Sequence, residues 1–222
     1  MLRALLPAAL LLTAAALSAA ELDYTPVKRW IAKQDDFRSV TADFTQTRSL
    51  RALKSPLANP GRLWFKAPDS FRWELGTPAR TIVLRKGDSI YLIQPAKKRA
   101  ERSPANATPD KPSPMQAFGM MSMPFARDFA DFQRQFETLA ITPDGPRCRL
   151  EVLPRTPLAR KFLAALKLDF NTQTGHLLAF EMVTRDGSAL RNEFSNVQAN
   201  PKISASVFEF DFTGYDVVDA KE

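Results

Sequence analysis

Between residues 59 and 95 the chain alternates apolar and polar side chains in short runs, and Pro and Gly cut these runs at regular intervals. Successive side chains of a strand point to opposite faces, so each run sorts into two sides. In the first run Leu63 and Phe65 share one side, with Arg62, Trp64 and Lys66 on the other. Ala67-Pro68-Asp69 turns the chain, and Phe71, Trp73 and Leu75 then share a face opposite Ser70, Arg72 and Glu74. After Gly76-Thr77-Pro78, residues 81–85 and 89–94 are rich in β-branched and aromatic side chains and meet across Lys86-Gly87-Asp88, a connection suited to a hairpin. The pattern predicts an antiparallel meander with one apolar face to cover.

The flanking chain extends this pattern. Thr25-Pro26 predicts a helix start with Thr as cap, with Val27, Trp30 and Ile31 on one face and an end near Asp35. Val40, Ala42, Phe44 and Gln46 alternate with polar residues, which predicts a strand from about Ser39 towards Leu50, followed by a loop and return over 51–60. Five of the six residues 97–102 are charged and fit a polar edge strand or a solvated loop, and the proline-rich 103–114 fits a loop or linker. Met115, Phe118, Met121 and Met123 crowd together before Pro124, and Phe125, Phe129, Phe132 and Phe136 recur at helical spacing. Such a stretch either closes the core or forms a soft, adaptable lid. Strand patterns return at 137–142, 147–153, 162–170, 177–185, 189–197, 207–212 and 215–218. Ten or eleven strands in hairpin order predict a mainly β protein with a few helices, built on a single curved antiparallel sheet.

Residues 1–20 change the picture of compartment. Arg3, an apolar run to Leu17 and Ser18-Ala19-Ala20 predict a leader cleaved after Ala20, too short to span a bilayer, with residues 21–222 forming one domain. Without that leader 30 Lys and Arg face 24 Asp and Glu, a net of +6. Export argues against nucleic acid as the partner of this charge, leaving solubility, anionic lipid headgroups or an acidic partner. Cys148 is the only cysteine, so no intramolecular disulfide forms, and its place in a strand-like run predicts a half-buried filler.

Motifs for catalysis do not emerge. His176 is the only histidine and follows Gly175 as a turn residue, and neither GxxxxGK[ST] nor GxGxxG occurs. Asp35-Asp36 and Asp128/Asp131 lie at expected helix ends or surfaces, where they complement the helix dipole. No catalytic residue, cofactor or metal site is therefore assigned. Burial without reaction remains as the chemistry: an apolar face under a Met- and Phe-rich cover holds an acyl chain by removing it from water, at roughly 0.8 kcal/mol per methylene.

The order Gly61-x-Leu63-Trp64-x-Lys66-x-Pro68-x-x-Phe71-Arg72-Trp73, then Pro78, Gly87-Asp88 and Pro95, resembles the periplasmic lipoprotein-carrier family, the LolA-like proteins. Weaker likeness extends to Phe44-Thr45-Gln46, Phe194-Ser195-Asn196, Phe208-Glu209-Phe210 and Gly214-Tyr215-Asp216-Val217. The resemblance implies an unclosed half-barrel covered by helices as a lid, a monomer that takes acylated lipoproteins from an inner-membrane exporter to an outer-membrane acceptor. Phe71 and Trp73 match the family's aromatic pair, which makes Phe71, Trp73, Leu75, Leu63 and Phe65 the expected acyl-chain cavity and Met115, Phe118 and Met121 the expected lid. Family members have Arg before the turn proline, where Ala67 stands here, so the usual guanidinium latch is missing or has moved. That departure opens two alternatives, a divergent carrier of another lipid or lipid-linked product, and an envelope lipid sensor that regulates a protein partner.

Overall fold

The computed structural model describes residues 22–51, 55–104, 126 and 128–220. Its framework is one twelve-stranded sheet in the order β12-β6-β5-β4-β3-β2-β1-β11-β10-β9-β8-β7, whose two ends do not pair with each other, an unclosed half-barrel. Six strands form one half: β1 (Ser39–Ser49), β2 (Leu57–Lys66), β3 (Ser70–Leu75), β4 (Thr81–Lys86), β5 (Ser89–Gln94) and β6 (Arg99–Pro104). The other half is β7 (Phe136–Asp144), β8 (Arg147–Pro154), β9 (Leu163–Asn171), β10 (Leu177–Thr184) and β11 (Ala189–Ala199). Every neighbour pair is antiparallel except the first of this order, where β12 (Asp216–Asp219) lies parallel to β6.

The inner face of the second half is filled by helices. Helix α1 (Thr25–Gln34) buries Val27, Trp30 and Ile31, and α2 (Phe129–Gln135) buries Phe132. With Leu150, Val152, Leu166, Leu168, Phe170 and Phe180 from the strands they make the larger core, in which Trp30 stacks on Phe170 at 4.6 Å. The Trp30 indole and the Gln34 amide both donate to the Gly175 carbonyl at 3.0 Å, tying α1 to the turn that carries His176. Asp128 caps α2 by accepting from the Asp131 backbone N–H at 2.7 Å, and the Asp131 carboxylate accepts from Arg134 and Gln135.

Several expectations need correction. The helix cap position is Tyr24, without a side-chain cap bond, and the Asp23 carboxylate takes the Thr25 N–H at 2.9 Å. Strand β2 begins at Leu57, within the expected loop. The charged run after Lys97 forms neither an edge nor a loop: β6 lies between β5 and β12, with Ala100 fully buried. A short helix α3 (Pro157–Phe162) precedes β9, and its lack of buried residues left no apolar stripe to read. Residues 207–212 do not make a strand. A 3₁₀ turn (Ala205–Phe208) and an extended tail instead lay Phe210, Phe212 and Tyr215 against the outer face, over Ile82, Leu84, Ile93 and Ala100.

Candidate functional site

The meander places its apolar residues in cross-strand rows. Ala42, Leu63, Trp73, Val83 and Leu92 face one another across β1 to β5, and Phe65, Phe71, Arg85 and Ile90 form the adjacent row. Phe44, Gly61, Leu75 and Thr81 make the row on the other side. Phe44, Phe71, Trp73 and Val83 are buried together, with half-buried Leu63, Leu75, Ile90, Leu92 and Phe194 packed around them. Phe44 stacks on Trp73 at a centroid distance of 3.8 Å, and Phe194 meets both rings edge-on at 6.2 Å.

Of the five expected cavity residues, Leu63, Phe71, Trp73 and Leu75 therefore share one apolar cluster. Phe65 is half-buried and lies opposite Phe71 in the β2–β3 register. Met115, Phe118 and Met121 lie outside the described residues.

Two features of this face and one of its reverse escaped the sequence reading. Arg85 shares the inner side with Phe71 and bonds to the Asp69 carboxylate at 3.2 Å, while its Nε is buried without a partner among the described residues. The alternation Val83-x-Arg85 carried this signal. Gln46 and Asn192 stand opposite each other one step beyond Phe44 and Phe194, and the Gln46 amide donates to Asn192 Oδ1 at 3.1 Å. The role of Arg72 also depends on distant chain. It faces outward as expected, where it pairs with Glu74 at 2.6 Å and donates to the carbonyls of Val207 at 3.0 Å and Glu209 at 3.1 Å. Arg72 thereby clamps the C-terminal tail to the outer face.

The outer face is polar where the inner face is greasy. A groove of about 950 Å³ opens there, with Arg62, Trp64, Arg72, Glu74, Asn196 and Glu209 among its walls. Further along, Arg191 reaches Asp169 at 3.0 Å, Glu181 at 3.2 Å and Glu193 at 3.1 Å, and Arg149 joins Asp169 at 2.6 Å. Burial acts to raise the Asp169 carboxyl, but bonds from Arg149 and Arg191 outweigh it and hold the group below the usual carboxylate range. Cys148 is buried, and burial pushes its thiol up to about 11, so it is a packing residue in a protonated state. Among the described residues no group of three His, Cys, Asp or Glu could hold a metal ion, and no helix is long and apolar enough to cross a membrane.

An unclosed antiparallel sheet with one aromatic inner face is a fold with known relatives. An outer-membrane lipoprotein carrier protein of Bordetella avium is 29% identical over 95% of this chain and 93% of its own. One of Chromohalobacter salexigens is 26% identical over 86% of this chain and 85% of its own. Among solved structures, an uncharacterized conserved protein from Thermus thermophilus superposes with a TM-score of 0.53 at 10% identity, covering 88% of this chain and 97% of that one, a likeness of fold. Residues 35–211, from the end of α1 to the outer-face tail, match the family described as outer membrane lipoprotein carrier protein LolA, and the chain belongs to that family.

Proposed function

We propose that this protein is a periplasmic carrier that binds the acyl chains of lipoproteins on the inner face of β1 to β5 and moves them from the inner to the outer membrane, without catalysing a reaction. The observation that carries this reading is the asymmetry of the inner face. Over β8 to β10 it is occupied by α1 and α2, whereas among the described residues the cluster of Phe44, Phe71, Trp73 and Val83 is made by strand residues, ringed by half-buried Leu63, Leu75, Ile90 and Leu92. A surface of this composition suits an acyl chain, each methylene of which gains roughly 0.8 kcal/mol on leaving water. Ordering of the ligand and displacement of side chains offset part of this, which suits a carrier that also releases. Family membership and the two curated relatives, both named as lipoprotein carriers, support the choice of cargo.

A second reading, a carrier of another lipid or lipid-linked product, is favoured by Ala67, which provides no guanidinium beside the inner face.

The test is binding of a triacylated lipopeptide to the wild type, to Phe71→Glu and to Lys98→Glu, with circular dichroism and thermal melts as controls for folding. A carboxylate among these aromatic side chains disfavours an apolar ligand. The reading requires saturable binding by the wild type and by Lys98→Glu, and its loss in folded Phe71→Glu. Equal binding by all three proteins overturns the assignment of the face.

A further inference from the structure

At the seam of its two halves the inner face holds an amide pair that the acyl chains themselves do not explain. Gln46 is 4% exposed and Asn192 is fully buried, on neighbouring strands of the seam where the two apolar clusters meet through Phe194. Phe44 and Phe194 form the preceding pair and Phe180 stands opposite Asn192 on β10, while Asn59 on β2 stands opposite Gln46, so the Asn192 side of the pair is the apolar one. Gln46 donates to Asn192 Oδ1 at 3.1 Å, but Asn192 Nδ2, an amide with two N–H donors, has no hydrogen-bond partner among the described residues. Buried polar groups are nearly always paired, so an orphaned donor in an apolar face calls for an acceptor from elsewhere.

We infer that Asn192 Nδ2, held in place by Gln46, is the subsite for a neutral carbonyl oxygen of the ligand, the ester or amide carbonyl that joins an acyl chain to its headgroup. The inference rests on the acyl-carrier reading and specifies which part of the ligand is recognised. A hydrocarbon or an ether offers this donor no comparable acceptor in that position, and a free carboxylate would bring a charge into the apolar cluster. Half-buried Leu190 and Phe194 flank Asn192 at two residues on either side along β11, and an entering chain reaches the amide by displacing them. The site therefore discriminates acyl ligands from alkyl ligands of the same length.

The experiment compares two synthetic lipopeptides of one peptide sequence, an S-(dipalmitoylglyceryl)-cysteine diester and its dihexadecyl diether, binding to the wild type and to Gln46→Leu/Asn192→Leu. Replacing both amides by apolar groups of similar size removes the orphaned donor and its partner together, which preserves folding better than removing either one. The expected result is about tenfold tighter binding of the diester by the wild type. In the double variant the preference collapses, through loss of diester affinity alone. Equal binding of both probes by the wild type, or a preference that persists in the variant, overturns the inference and leaves the carrier reading intact. Failure of both probes to bind the wild type overturns both. Should the double variant not fold, the Asn192 side-chain amide resonances of the wild type replace it: a shift with the diester and none with the diether supports the subsite, and identical responses overturn it.

Discussion

Phe44 lies over the backbone of Gly61, so closely that a β-carbon built on Gly61 would fall 2.0 Å from Phe44 Cζ and 2.5 Å from the Glu74 carbonyl oxygen. The two residues are register partners on β1 and β2, and the space a side chain would take at 61 is what allows Phe44 to stack on Trp73. The glycine is required by close approach rather than by an unusual backbone conformation. It also opens the run from Gly61 to Trp73 that carries the resemblance to the family in the sequence.

Gly61→Ala is accordingly expected to displace the Phe44 ring and destabilise the protein by roughly 1–3 kcal/mol, the range for overpacking a filled core. Chemical denaturation followed by tryptophan fluorescence checks this, since Trp73 is the ring that Phe44 covers. A midpoint equal to that of the wild type would refute the close approach.

Arg72 links β3 to a segment more than 130 residues away, through bonds to the Val207 and Glu209 carbonyls with sequence separations of 135 and 137. Arg72→Met removes charge-assisted bonds and leaves Glu74 without its partner, at an expected cost of about 2 kcal/mol. Hydrogen exchange provides the specific readout. Residues 205–210 should lose protection in the variant before β8 and β9 do, and unchanged exchange there would show that the apolar contacts of Phe210 and Phe212 and the Lys86–Glu209 pair hold the tail without Arg72.

The Asp169 network predicts a pH dependence with a definite sign. The folded carboxyl is held below its unfolded value by Arg149 and Arg191 against the opposing effect of burial, so the unfolded chain binds the proton more readily. Its contribution to stability is complete above the unfolded value of about 3.9 and vanishes as the pH falls from there through the lower folded value. Asp169→Asn should cost about 1–2 kcal/mol at pH 7 and progressively less in acid. Urea melts of both proteins between pH 7 and pH 3 test this, and a gap that is constant with pH would contradict it.

The strands of the meander were legible because their alternation is local: Leu63, Phe71, Trp73 and Leu75 face inward for the same reason that Arg62, Arg72 and Glu74 face outward. Elements that depend on distant partners were not. Residues 207–212 alternate like a strand, yet their aromatic side chains are satisfied by the outer face of β4 to β6 instead of a ladder. The parallel pairing of β12 with β6 turns a charged apparent edge into an internal strand, and no local pattern reports it. Within the site, the sequence alternation was enough to bring four aromatic and aliphatic residues together. The Gln46–Asn192 bond spans 146 residues and stayed invisible, because a buried amide pair has the same local pattern as two solvated ones.

The central claim is that the inner face carries acylated lipoproteins. Mass spectrometry of material captured on the tagged protein from its native envelope, analysed for both lipids and attached polypeptides, tests it most directly. Acylated lipoproteins enriched on the wild type and absent from folded Phe71→Glu are the predicted result. Free lipid or a lipid-linked product without any lipoprotein would contradict the lipoprotein cargo, and a capture free of acyl chains altogether would contradict the carrier itself.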